Sequence, residues 1–278
     1  MNKIHRTWSL MAACWRVLRD DKALLVFPLI SGICCALLLA SFAVPLYLTN
    51  HWQPPGRGAE PAYQAAYYGV LFLFYVCNYF VVVFFNAAIV ACATLRLSGG
   101  HPTIADGFQA ALSRLPSIAG WAVLSATVGF ILRIIEDRSP KVGQLVAGLL
   151  GAAWTVVSFL VVPLLVVENK NPLTALKEST LLLKKTWGEG LVGNFSFGLV
   201  FFVLAIPAAL VIIGGVVSGS LALMAVCIGF AVVYLIVLTL VQSALQSIFQ
   251  AAIFLYARNG QVPDGFDGGL LGNAMRSR

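Results

Sequence analysis

A histidine and an aspartate, His101 and Asp106, have the residue types and the spacing of an acyl-transfer pair. In such chemistry a histidine acts as a general base, and an aspartate five positions later orients it. An aspartate in the first turn of a helix would instead support the N-terminal cap of that helix. The pair therefore predicts either an interfacial lipid acyltransferase or a helix cap, and we favour the cap.

Other catalytic and metal-binding patterns are missing from the sequence. The three histidines lie outside the apolar runs, so a serine–histidine pair within a membrane is excluded. Residues 193–198 lack the G-x-S-x-G spacing of a nucleophile elbow, and no H-E-x-x-H or C-x-x-C pair occurs. Five of the six cysteines lie in apolar runs, which argues against a disulfide framework. The sequence predicts no enzyme activity, no metal and no cofactor.

Uncharged polar side chains form two stripes within apolar runs. One stripe contains Asn78 and Asn86, and the other contains Gln242, Gln246 and Gln250. Because amides in hydrocarbon must find partners, we expect both stripes to face the interior of a helix bundle. They would either line a polar path for a small solute or form hydrogen bonds between helices. We favour the hydrogen bonds.

Helices in a membrane must position these residues, because the chain is too apolar for a soluble protein. Of its 278 residues, 60% are hydrophobic and 10% are charged, whereas about 25% are charged in an ordinary soluble domain. This composition excludes a soluble enzyme, a disordered chain and a nucleic-acid-binding arm. An apolar run of about 18–20 residues crosses the hydrocarbon layer, and it satisfies its backbone there only as a helix.

We therefore predict an all-α integral membrane protein with six transmembrane helices in a single domain over residues 1–278. The predicted spans are residues 23–49, 67–95, 118–135, 145–167, 191–213 and 221–257. Residues 214–220 are predicted to form the turn between the last two spans.

The basic residues predict which way the protein faces. Fourteen of the 18 lysines and arginines fall in the N-terminal leader, the second and fourth connections and the C-terminal tail. Basic residues collect on the cytoplasmic side, so both termini are predicted to lie in the cytoplasm of a cell. A net charge of +7 would also favour anionic lipid headgroups at that face. The expected partners are the lipid bilayer and either another protein or further copies of this chain, with no nucleic acid.

An amphipathic stretch at helical spacing precedes each odd-numbered span. The apolar stripes are Ile4, Trp8, Met11, Trp15 and Leu18; Ile104, Phe108, Leu112 and Leu115; and Leu173, Leu176, Thr180, Leu183 and Trp187. Thr103 and Asn171 are predicted N-caps, with Pro172 as a first helical residue. These three helices are predicted to lie in the cytoplasmic headgroup layer. The alternative is that they pack against the inner end of the bundle.

Two even-numbered spans share a short sequence. Phe-Asn-Ala-Ala-Ile at residues 85–89 matches Phe-Gln-Ala-Ala-Ile at residues 249–253, and an arginine and then a proline follow each. This pattern predicts three copies of one unit that consists of an interfacial helix and two spans. A separate series of small residues, Gly143, Ala147 and Gly151, predicts a close contact between helices.

Two segments of the chain resemble a known family. The first contains Trp15-Arg16-Val17-Leu18-Arg19, Asp21-Lys22, Leu24-Leu25 and Phe27-Pro28. The second contains Pro163, Glu168-Asn169, Pro172, Ala175-Leu176-Lys177, Ser179 and Lys184-Lys185-Thr186-Trp187-Gly188-Glu189. They resemble an uncharacterised prokaryotic family of six-helix membrane proteins of unknown function. They are more distantly similar to the membrane domains attached to some glycerophosphodiester phosphodiesterases.

The resemblance implies a cell-membrane location and a six-helix fold. It marks an interfacial motif whose residues are Glu168, Pro172, Lys177, Ser179, Lys185 and Trp187. It implies no activity, because the catalytic phosphodiesterase domain has no counterpart in this chain. The leading hypothesis is a non-catalytic envelope protein that acts through lipid or protein contacts. The first alternative is a channel or facilitator for a small neutral solute, and the second is the interfacial acyltransferase.

Overall fold

The computed structural model of the chain describes residues 3–48, 56, 58, 60–138, 142–186, 192–260, 263 and 266. Within the helices, this description excludes the side chains of residues 3–7, 137–138, 185–186, 192–197 and 259. The α-helices are α1 (Lys3–Asp20), α2 (Val26–Leu48), α3 (Pro61–Leu97), α4 (Ile104–Leu112), α5 (Leu115–Arg138), α6 (Val142–Val157), α7 (Val161–Val166), α8 (Pro172–Thr186), α9 (Val192–Val217) and α10 (Leu221–Asn259). A short 3-10 helix, Lys22–Leu25, joins α1 to α2. No strand occurs in these ranges.

Six helical stretches are long and apolar enough to cross a membrane. They are Lys22–Leu48, Pro61–Leu97, Leu115–Glu136, Val142–Val166, Gly198–Val217 and Leu221–Arg258. The prediction of an all-helical chain with six membrane-spanning helices is therefore confirmed at this level. Each stretch has at least the roughly 17 residues that the hydrocarbon layer requires.

The turn before the last span is shorter than predicted. Residues 214–217 belong to α9, so the prediction of a turn over residues 214–220 was wrong for these four. The helix ends at Val217, and two residues later Gly219 has a φ of 67°, in the left-handed region that favours glycine. The side chain of Ser220 then caps α10. Continuing the helix satisfies backbone groups that lipid would leave without partners.

The fourth span is interrupted, whereas the sequence predicted one continuous helix over residues 145–167. The first part, α6, ends at Val157, and α7 begins at Val161. Pro163 explains the break, because it has no N–H to donate to the carbonyl of Phe159 and its ring would collide with that carbonyl in a continuous helix. All six residues of α7 are buried.

The described chain divides into two compact units, and each is discontinuous in sequence. One consists of residues 1–28, 92–102 and 182–278, and the other consists of residues 29–91 and 103–181. In the first unit α1, α9 and α10 pack against one another. In the second unit α4 and α6 both pack against α5. The single domain predicted from the sequence stays a prediction.

The contact between α5 and α6 uses the small residues that the sequence singled out. Gly143 and Ala147 are buried, and a Cβ added to Gly143 would meet the backbone oxygen of Ile135. The indole rings of Trp121 and Trp154 stack between the same helices, with their centroids 5.5 Å apart. The predicted close approach is therefore confirmed within the chain.

The two longest helices change environment along their length. In α10 most side chains of residues 221–243 are exposed, and those of residues 244–254, apart from Gln246, are buried. At about 1.5 Å per residue the exposed part measures about 35 Å, close to the thickness of a bilayer core. The matching sequences at residues 85–89 and 249–253 both lie in buried stretches, apart from the half-buried Asn86.

Candidate functional site

The buried face of α8 consists of small residues, with a leucine at its end. Ala175 and Ser179 are fully buried, and Leu183 is 6% exposed. These residues recur every fourth position, so they lie along one face of the helix. The larger stripe residue Leu173 is 70% exposed. Small side chains therefore form the packed face, and they let the helix approach its neighbours closely. The full apolar stripe predicted from the sequence does not form this face.

Ser179 bridges the interruption of the fourth span. Its hydroxyl donates a hydrogen bond to the carbonyl of Val157, with 2.7 Å between the oxygens. The same oxygen accepts a hydrogen bond from the backbone amide of Leu160 at 3.2 Å. These two groups flank the break between α6 and α7. One side chain of the interfacial motif therefore provides partners for backbone groups at a broken helix.

Other residues of the motif shape the start of α8. Asn171 caps the helix, because its Oδ1 accepts a hydrogen bond from the amide of Thr174 at 2.8 Å. This cap and the first helical position of Pro172 confirm the prediction. Pro172 packs closely on α5, since a Cβ added to Gly120 would lie 3.1 Å from its Cγ.

The remaining residues of the motif differ in exposure, and two of them are not fully described. Glu168 is half-buried and Lys177 is exposed. The side chain of Lys185 and the whole of Trp187 lie outside the described residues. An ion pair that the sequence did not predict, Lys170 Nζ to Glu178 Oε1 at 3.0 Å, ties α8 to the segment before it.

The two polar stripes belong to different compact units. In the second unit Asn78 and Asn86 are half-buried. The Oδ1 atom of Asn86 is shielded from solvent and has no hydrogen-bond donor among the described residues. In the first unit Gln242 is half-buried, Gln246 is exposed and Gln250 is buried. Burial thus increases toward the C-terminal end of α10, apart from the outward-facing Gln246.

Asp106 forms a helix cap with Thr103. One oxygen of its carboxylate accepts hydrogen bonds from the backbone amide and the hydroxyl of Thr103, both at 2.8 Å. The amide of Asp106 donates to the Thr103 hydroxyl in return. These bonds favour the charged form and lower the pKa of Asp106. The predicted N-cap is confirmed, and within the described part of the chain His101 forms no hydrogen bond to Asp106.

An apolar groove with a volume of about 360 Å³ lies between α1, α9 and α10. We call it the α1 groove. It is lined by Trp8, Met11, Ala12 and Trp15 from α1, Phe201 and Leu204 from α9, and Tyr234, Val237, Leu238, Val241 and Leu245 from α10. The hydroxyl of Tyr234 donates a hydrogen bond to the carbonyl of Leu204 at 2.7 Å, so the polar end of this side chain has a partner within the wall.

Helix α1 has two apolar faces. One face, which includes Ala13, Cys14 and Val17, is buried against the protein. Trp8 and Trp15 on the opposite face are 64% and 50% exposed and line the groove. The sequence placed the tryptophans on an interfacial stripe and missed their convergence with α9 and α10. The second apolar face was the available signal, because a helix with two such faces can pack on one and line a site with the other.

Comparison with protein families gives one match. The family described as "Family of unknown function (DUF6159)" matches residues 65–265. The matched residues include α9 and α10, which form two walls of the α1 groove, and exclude α1. The search of curated proteins found no match.

Proposed function

The chain belongs to the DUF6159 family of unknown function, and we propose that it is a non-catalytic membrane protein that acts by holding a lipid. The α1 groove is the observation that carries this proposal. Its volume of about 360 Å³ falls within the range of about 300–1,000 Å³ that is typical of small-molecule sites. Its walls are almost entirely hydrocarbon, which suits an acyl chain.

The concave shape of the groove favours a specifically bound lipid over the bulk lipid that exchanges at any exposed helix face. An acyl chain gains no hydrophobic free energy when it moves from the bilayer to a protein wall, so binding depends on van der Waals packing. In the groove, three helices and the rings of Trp8, Trp15 and Phe201 would surround the acyl chain. A flat exposed helix face, such as the outer side of α2, would contact it along one side only.

The location follows from the charge distribution. We propose a cell membrane, with both termini and the three amphipathic helices on the cytoplasmic side, because 14 of the 18 basic residues fall in the segments assigned to that side. The threefold repeat and the distant similarity to phosphodiesterase membrane domains stay part of this proposal, without any phosphodiesterase activity. The burial of both matching pentapeptides is compatible with the repeat.

Lipid retention tests the proposal. The full chain is purified in native lipid nanodiscs, and the retained lipids are quantified by mass spectrometry before and after washing with detergent. We expect about one lipid per chain to survive the wash. Ala12→Phe should fill the groove and release that lipid. The matched control is Ala36→Phe on α2, an exposed span position outside the groove, which should retain it. Equal retention by the two variants would contradict the proposal.

A second candidate is a path for a small neutral solute. It is favoured by the unpartnered Oδ1 of Asn86, which is the kind of group that a solute or water would bind. Flux into proteoliposomes should then fall in Asn86→Leu, with unchanged folding. Wild-type flux equal to that of protein-free liposomes would end this candidate.

The acyltransferase alternative has the least support. One oxygen of the Asp106 carboxylate is held by Thr103 in the helix cap, and among the described residues His101 forms no hydrogen bond to this carboxylate. If His101→Ala matches wild type in a lipid acylation assay, the alternative is rejected. A clear loss of activity would revive it.

A further inference from the structure

We infer that the α1 groove ends at a phosphate site formed by Arg19 and Arg16, so that the lipid it holds is an anionic phospholipid. This inference rests on the proposed lipid-binding function and adds the headgroup class. It rests on three independent observations. They are the register of α1, the lack of a carboxylate partner for its arginines among the described residues, and the position of its last turn.

The register of α1 places both arginines at one end of the groove-lining face. Arg19 lies four residues after Trp15 and eight after Met11, and Arg16 lies four residues after Ala12. Side chains four apart are neighbours along one face of a helix. Both arginines are exposed, whereas Val17 between them is buried on the opposite side. The apolar lining therefore continues directly into two guanidinium groups.

The two arginines are available for an anion. Within the described residues, neither forms an ion pair with a carboxylate. The nearest acidic groups in sequence are Asp20, which is exposed, and the half-buried Asp21. These carboxylates and the C-terminal end of the helix dipole oppose an anion. Two guanidinium groups outweigh them because each can donate two parallel hydrogen bonds to one phosphate.

The last turn of α1 lies where headgroups lie. The first membrane span begins at Lys22, only three residues after Arg19. A side chain at the very start of a span is at the level of the polar layer, where phosphates are found. A phospholipid whose acyl chain lies in the groove would thus place its phosphate beside the arginines.

Quenching of tryptophan fluorescence tests the headgroup inference on the full chain in detergent. In a background where the other four tryptophans are replaced by phenylalanine, Trp8 and Trp15 report on lipids whose acyl chains carry bromine, which quenches fluorescence on contact. We expect saturable quenching at one lipid per chain, with phosphatidylglycerol binding about tenfold more tightly than phosphatidylcholine. Arg19→Gln should weaken the binding of phosphatidylglycerol about tenfold and that of phosphatidylcholine by less, so that most of the preference is lost.

Two controls separate the inference from the proposed function. Lys177→Gln removes an exposed charge from α8 and should keep the preference. Ala12→Phe should abolish saturable quenching by both lipids. Two results would overturn the phosphate site while supporting lipid binding in the groove. One is saturable binding without a headgroup preference, and the other is a preference that Arg19→Gln does not alter. Quenching that is unsaturable in wild type and unchanged in Ala12→Phe would overturn both.

Discussion

The backbone amide of Leu160 donates a hydrogen bond to the hydroxyl of Ser179 at 3.2 Å, and through this contact α8 is tied to the interruption of the fourth span. The hydroxyl itself donates a hydrogen bond to the carbonyl of Val157 at 2.7 Å. One oxygen thus serves a donor and an acceptor that a continuous helix would have used internally. Ser179 is the member of the interfacial motif whose structural role is clearest.

Removing the Ser179 hydroxyl should destabilise the protein. Ser179→Ala leaves the buried N–H of Leu160 and the part-buried C=O of Val157 without this partner, and a buried group left unpaired costs about 1–3 kcal/mol. We expect the free energy of unfolding to fall by a few kcal/mol, measured by denaturation in mixed micelles. Thr180→Ala is the matched control, because among the described residues the Thr180 hydroxyl bonds to the carbonyl of Leu176 in its own helix. Equal losses in the two variants would refute the bridging role.

Two glycines of α6 should respond oppositely to alanine. A Cβ at Gly143 would collide with the backbone oxygen of Ile135, whereas a Cβ at Gly148 would meet no atom within 4 Å. Gly143→Ala should lower the unfolding free energy by about 1–3 kcal/mol, as overpacking does. Gly148→Ala should raise it by up to about 1 kcal/mol, because alanine loses less entropy in a helix. Thermal unfolding of both variants in detergent would distinguish them, and a stabilised Gly143→Ala would contradict the α5–α6 contact.

The cap of α4 should weaken in acid. Hydrogen bonds from Thr103 lower the pKa of Asp106, so its stabilising effect is complete above the unfolded pKa of about 3.9 and is lost as the pH falls through the lower folded value. An NMR titration of the Asp106 carboxyl carbon should give a midpoint below about 3.9. In Thr103→Ala the midpoint should rise toward that value, and a midpoint unmoved by the substitution would show that the cap does not hold the carboxylate.

Cys14 should be protected from thiol reagents. It is fully buried in the packed face of α1, and burial raises its pKa. Because the thiolate is the reactive form, alkylation at about pH 8 should be at least about 100-fold slower than at an exposed cysteine. Asp20→Cys supplies that comparison on the same helix, and peptide mass spectrometry resolves both sites in one sample. Comparable labelling of the two cysteines would show that this face of α1 is open.

The spans and the caps were predictable because local sequence determines them. Apolar runs of sufficient length must be helical in lipid, and the Thr103 and Asn171 caps follow from side chains next to the first helical turn. The end of α9 was misjudged, because glycines at 214 and 215 are typical of turns in water. In hydrocarbon the backbone requirement overrides that preference.

The break in the fourth span and the α1 groove depend on contacts distant in sequence. Pro163 lies within the fourth span itself, but the partner at Ser179 lies on another helix. The groove combines Trp8 and Trp15 with residues of α9 and α10 that are remote in the chain. Helical periodicity reports which residues share a face and carries no information on which other helix that face will meet.

The interruption of the fourth span also has a consequence for the surrounding bilayer. Helix α6 has 16 residues, which corresponds to a length of about 24 Å, whereas a typical hydrocarbon layer is about 30 Å thick. The rest of this span is buried, so it offers no apolar surface to lipid. Lipids beside α6 therefore contact the fourth span along about 24 Å only. At the level of α7 the lipids meet the helices that bury it, and not the fourth span itself.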